Sequence, residues 1–121
     1  MRLFALRGAT TVAANEADLI LVGCAELMRE LMARNALAPD DVVSCIFTVT
    51  DDLDAAFPAT AARHMGFERV PLLNAREIPV PGSLPRVVRV LMHYYAPDDH
   101  RQQHVYLHEA RSLRTDLESA Q

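Results

Sequence analysis

"LPRVVRVLMHYY", residues 84–95, decides the fold. The stretch is rich in β-branched and aromatic residues, holds no glycine, and carries proline only near its start, so it predicts a strand. Alternation puts Val87, Arg89, Leu91, His93 and Tyr95 on one face. Arg86, Val88, Val90, Met92 and Tyr94 share the other. Both faces are largely apolar, which marks a strand inside a sheet. Arg86 lies at the strand end, within reach of water. Arg89 lies among apolar neighbours, with no acid between Glu77 and Asp98. Burying even a neutral polar group without a partner costs about 2–7 kcal/mol, so an arginine here calls for an anion.

The flanking sequence supplies the remaining elements. Upstream, "PLLNAREIPVPGSLP" (71–85) contains Pro71, Pro79, Pro81 and Pro85. Proline cannot donate to a central ladder, so this segment is a loop or an edge. A short strand is expected at 67–70. "VVSCIFTVT" (42–50) reads as another strand, followed by a turn at Asp51 and Asp52. A short helix should run from Pro58 through Met65 and close at Gly66. Residues 16–34 form a long helix with Ile20, Cys24, Leu27, Met28 and Leu31 in one stripe. Asn15 is its expected N-cap, with Asp18 as the partner in a capping-box variant, and Asn35 and Pro39 end it. Residues 2–7 form the first strand, with Arg7 at its end before Gly8. Downstream, "QHVYLHEA" (103–110) reads as a last strand with His104, Tyr106 and His108 on one face. The polar stretch from about residue 111 is expected to be a mobile tail.

The order β-α-β-α-β-β-β describes an α/β or α+β sandwich in a single domain, 1–121. Two helices, one of them short, cover only one side of such a sheet. Other copies of the chain are the simplest cover for the second side, so a symmetric oligomer is expected.

Composition narrows the functions. Half the residues are hydrophobic and 23% are charged, as in a globular domain in water. The formal net charge of −4 argues against nucleic acid as the main partner. No apolar run is long enough to span a bilayer, and Arg7 interrupts the apolar N-terminal stretch, which reads as a strand and not a signal peptide. Cys24 and Cys45 are expected as buried thiols in a reducing, cytoplasmic compartment.

Arg7 and Arg89 are the leading functional candidates, because guanidinium binds both oxygens of a carboxylate. For Arg89 a structural ion pair with Glu77, or with an acid of another subunit, is the simpler alternative, and it is compatible with function. Arg63 on the short helix and Glu77 between rigid prolines would ordinarily be surface residues, and Tyr106 a core residue. His104 and His108 lack the helical spacing of a metal pair, so no metal is expected. Neither cysteine has a basic sequence neighbour, and no nucleophile stands beside an activating base. Cations, a carboxylate and a phenol suit electrostatic handling of a small anion without covalent chemistry.

In "LRGATTV" (6–12), "FTVTDDLDAAFPATAAR" (47–63), "VPLLNAREIPVPGSLPRVVRVL" (70–91), "HVYLHEA" (104–110) and "LRTDL" (113–117) the chain resembles the monofunctional chorismate mutases of the trimeric, mixed α/β class, nearly end to end. The resemblance implies an α+β fold, ferredoxin-related, with a long and a short helix on one face of a mixed sheet. It implies a homotrimer forming a pseudo-α/β barrel, with active sites in clefts between subunits. It also implies the Claisen-type rearrangement of chorismate to prephenate in aromatic amino-acid biosynthesis, with no cofactor. By motif, Arg7, Glu77, Arg89 and Tyr106 would act on the substrate from one chain. Phe57, Ala59, Arg63, Leu73 and Asn74 would line the cleft from its neighbour, and Leu113 and Arg114 would partly cover it. Thr60 stands where the family can carry lysine, Asn74 where it can carry cysteine, and Thr115 where it carries proline.

Two other readings compete. Reactive-imine deaminases share a similar trimeric fold, but the glycine-rich and arginine motifs they would want near the C-terminus are not found. A non-catalytic trimeric module that binds an anionic metabolite would keep the site without turnover.

Overall fold

A computed structural model describes residues 1–114. Five strands form one mixed sheet: β1 (Arg2–Thr11), β2 (Val42–Val49), β3 (Leu72–Arg76), β4 (Val87–Ala96) and β5 (Val105–Tyr106). Their order is β3-β2-β4-β1-β5. The strand that opens the sequence reading, β4, is therefore the centre of the sheet. It pairs antiparallel with β1 and β2, while β3 and β5 add at the edges in parallel.

Two helices cover one face: α1 (Ala17–Arg34) and α2 (Ala59–Arg63). All five stripe residues of α1 are buried. Leu27, Met28 and Leu31 pack with Ala59 and Ala62 of α2 against Phe4, Leu6, Phe47, Val90, Met92 and Tyr94 of the sheet. Each fully buried side chain of this size contributes roughly 1.5–3 kcal/mol, so this layer carries most of the stability. Gly8 lets the helix come close: a Cβ there would meet Leu31 Cδ1 at 2.9 Å.

Several expectations need correction. β1 does not end at Arg7 but runs on through Gly8 to Thr11, because β4 continues to pair with it down to Val87. Residues 67–70 form turns, and the third strand lies in the proline-flanked segment, at the sheet edge where proline is tolerated. The last strand is only two residues long, and a 3-10 turn at His108–Ala110 replaces its second half. Glu16, not Asn15, is the N-cap of α1, and no side chain caps it. Asn15 instead clamps the loop before α2: its Oδ1 accepts from the backbone N–H groups of Asp54 and Ala55, both at 3.0 Å, and its Nδ2 donates to Asp54 Oδ1 at 2.7 Å.

Neither α1 nor α2 lies on the opposite face of the sheet. Leu3 and Tyr95 are paired across strands there and roughly half exposed, and Leu73 on β3 is 64% exposed. Residues 111–114 begin a helical turn, and Leu113 packs on Ala9, Val87 and Ala110, covering one end of this face. The rest of the expected tail, with Thr115, lies outside the described residues.

Candidate active site

Strand register places the site on the helix-free face. Cross-strand partners set Tyr106, Ala9, Arg89, Thr48 and Ala75 in one row across all five strands. The next row holds Arg7, Leu91, Ile46 and Leu73. Where these rows meet, a hollow of about 290 Å³ is bordered by Arg7, Ile46, Thr48, Glu77, Arg89 and Tyr106. Four residues separated by up to ninety-nine positions in sequence, Arg7, Glu77, Arg89 and Tyr106, thus come together in one cavity.

Arg89 is not a buried, unpaired cation. Its side chain is 45% exposed in the single chain, and its Nε lies 3.2 Å from Glu77 Oε2. The carboxylate comes from a distant loop, which β3 delivers by pairing with β2. Its backbone is held there as well, since the Glu77 N–H donates to Val49 O at 2.8 Å. Thr48 Oγ1 donates to the same Oε2 that faces Arg89. Nε and Oε2 thus form an ion pair without a hydrogen bond between them. Among the described residues, no hydrogen bond engages Oε1 or the two terminal amino groups of Arg89.

Arg7 is exposed at the side of the hollow, and its backbone N–H donates to His104 Nδ1 at 3.0 Å. That bond requires a neutral imidazole. Partial desolvation holds the His104 pKa below its usual value, and the charges of Arg7 and Arg114 push it the same way. Desolvation raises the Tyr106 pKa, against the opposing pull of Arg7, Arg89 and Arg114. The phenol therefore keeps its proton near neutral pH and is available as a donor.

The remaining candidates gather elsewhere in the chain. Phe57, 70% exposed, and Asn74 border a separate hollow of about 370 Å³ between the α2 loop and β3. Asn74 Oδ1 accepts from the backbone N–H of Ala59 at 3.0 Å, which ties the sheet edge to the start of α2. The side chain of Ala59 is part of the core, 1% exposed in the single chain. Arg63 is exposed on α2, and Leu73 is exposed on the helix-free face. Leu113 packs beside Tyr106 around Ala9 and Val87, and Arg114 is exposed.

His100, His108 and both cysteines stand outside the hollow around Arg89. His108 Nε2 meets Glu26 Oε1 at 2.8 Å, and His100 Nε2 meets the Tyr94 hydroxyl at 2.8 Å. Both cysteines are free and buried, with burial pushing each thiol up to about 12. Neither is a thiolate nucleophile at neutral pH. Sequence reasoning missed Thr48 and the Asn15 clamp. The β2–β4 register is what sets Thr48 opposite Arg89.

The sequence pattern of the chorismate mutase type I family matches residues 3–117. This chain belongs to that family. It is 51% identical to the chorismate mutase AroH of Thermus thermophilus over 119 residues, covering 96% of this chain and 97% of that one. It is 37% identical over 120 residues to the chorismate mutase AroH of Bacillus subtilis, covering 97% and 94% of the two chains. Among solved structures, a chorismate mutase from Clostridium thermocellum superposes with a TM-score of 0.87 at 49% identity, covering 90% of this chain and 98% of that one. These matches decide for a chorismate mutase, an isomerase, over the deaminase reading and the non-catalytic module. Among the described residues, no helix is long and apolar enough to cross a membrane.

Proposed function

We propose that this chorismate mutase turns chorismate into prephenate in the hollow around Arg89, with each site completed by a second copy in a homotrimer. The observation that carries this reading is the Arg89–Glu77 pair beside Arg7 and Tyr106, on the sheet face away from α1 and α2. The reaction breaks an ether C–O bond while a C–C bond forms, within one molecule. It transfers no proton and forms no bond to the protein, so the absence of an activated nucleophile is consistent with it. The site's work is to hold a dicarboxylate in its compact conformer and to favour charge that appears only in the transition state.

Arg7 and the Tyr106 hydroxyl hold a substrate carboxylate. The terminal amino groups of Arg89 face the ether oxygen, which gains negative charge as its bond to carbon breaks. A preorganised cation there stabilises the transition state more than the ground state. Glu77 Oε1 accepts from the ring hydroxyl, and the Glu77 charge balances Arg89 in the empty site. Nothing in this sequence of events calls on a metal or an organic cofactor.

Phe57, Arg63, Leu73 and Asn74 serve the cleft of an adjoining copy, where they would meet the hollow of its Arg89. The half-exposed Leu3 and Tyr95, together with Leu73, support burial of this face by assembly. Leu113 and Arg114 approach the same face as Tyr106 and partly cover the bound substrate. Asn74 Oδ1 already accepts from Ala59, so its amide NH2 is the group offered to substrate. Two buried, unbridged cysteines support a reducing, cytoplasmic setting. The test is purified protein with chorismate, followed by product analysis. Prephenate formed at a rate that depends on Arg89 supports the reading, and saturable binding without turnover refutes it.

A further inference from the structure

We infer that Thr48 is a positioning residue for the rearrangement: its hydroxyl holds the Glu77 carboxylate so that the terminal amino groups of Arg89 stay open to the substrate. The inference rests on the site reading above and names a part of it that the motif comparison did not supply. Thr48 stands directly opposite Arg89 in the β2–β4 register, and it is half-buried on the helix-free face. Its hydroxyl has one proton, and that proton goes to Glu77 Oε2. The same oxygen lies 3.2 Å from Arg89 Nε in the ion pair. The Thr48 hydrogen bond fixes the rotation of the carboxylate beside the guanidinium, and among the described residues no hydrogen bond engages Oε1.

The alternative geometry shows what Thr48 prevents. A guanidinium and a carboxylate prefer a two-point contact, in which both oxygens meet two parallel N–H groups. That arrangement would turn Glu77 so that Oε1 engages a terminal amino group of Arg89. It would remove one donor from the ether oxygen and the acceptor from the ring hydroxyl together. The Glu77 backbone is already anchored on Val49 O, so only side-chain rotation stands between the two geometries. The Thr48 hydrogen bond opposes that rotation. A second hydroxyl residue can do this, whereas a valine of the same shape cannot.

The experiment compares Thr48→Val and Thr48→Ser with the parent protein in steady-state turnover of chorismate, alone and in a Glu77→Gln background. Valine suits a strand, so the fold is expected to persist. Thr48→Val should lower kcat by about 10- to 100-fold, the scale of a hydrogen bond to a charged group, with a smaller change in KM. Serine should restore most of the loss. In the Glu77→Gln background the valine change should add little, because the carboxylate it positions has gone. Native kcat in Thr48→Val, with an Arg89 variant impaired, overturns the inference and leaves the site in place. If the Arg89 variant is also unimpaired, the site reading falls, and this inference with it. Should the valine protein not fold, Thr48→Ala replaces it, and a serine variant as slow as alanine overturns the proposal.

Discussion

Arg89 is ion-paired with Glu77. Its Nε lies 3.2 Å from Oε2, and Thr48 donates to that same oxygen. The pair is thus both the structural ion pair that the sequence allowed and the centre of the proposed site. A half-exposed pair of this kind contributes little to stability. Its value lies in fixing the direction in which the guanidinium presents its remaining N–H groups.

Replacing Arg89 by citrulline keeps the shape and most of the donors but removes the charge. If that charge stabilises the breaking ether bond, kcat should fall by about 10²–10³-fold, the scale of a lost oxyanion donor. KM should change much less, because Arg7 still holds the ground-state carboxylate. Arg89→Lys should restore only part of the rate, since an ammonium cannot reach Glu77 and the substrate at once. Stopped-flow or steady-state turnover decides it: a citrulline protein with near-native kcat refutes the electrostatic role.

Assembly and site sharing can be tested together. Light scattering at micromolar concentration should report about three chain masses, as expected if copies cover the helix-free sheet face. Arg7→Ala and Arg63→Ala proteins should each be nearly inactive. Unfolding both, mixing them and refolding should return part of the activity, because some clefts then receive Arg7 from one chain and Arg63 from another. Mixed trimers with no recovered turnover would show that the two residues do not serve a common cleft.

His104 should make stability depend on pH in a defined direction. Its folded-state pKa lies below the ordinary value of 6.5, so the unfolded chain takes up the proton first. The stabilisation is full above about 6.5 and is lost as pH falls through the depressed folded value. Urea titrations from pH 8 down to about 5 should therefore show a falling midpoint, and His104→Gln should fall less across that window. Identical pH profiles for the two proteins would remove His104 from the account. Protonation would also break the acceptor that holds the Arg7 backbone, so affinity for substrate should weaken in the same range.

Much of the architecture was legible from short-range pattern. The stripe Ile20–Leu31 predicted α1 and its buried face, because helical side chains meet at fixed local spacing. The alternation in residues 84–95 identified β4, which runs Val87–Ala96, and the shortage of helices identified an uncovered sheet face. Proline spacing marked 71–85 as loop or edge, and β3 formed at the sheet edge as that reading allows. The family motifs named Arg7, Glu77, Arg89 and Tyr106, which the structure gathers into one hollow.

Local pattern failed where the outcome depended on a distant partner. Asn15 had the chemistry of an N-cap, but the loop at Asp54 and Ala55 offered it more bonds than the helix end did. Arg7 looked like the end of a strand beside a glycine, yet β4 extended the pairing and α1 needed Gly8 for close approach. By itself, the sequence determined which residues face which side of each element, since those periods are properties of a few adjacent residues. Tertiary structure alone decided that Thr48 faces Arg89 and that Glu77 closes over both. Strand register is set by packing the whole sheet against α1 and α2, and no short stretch of chain contains that information.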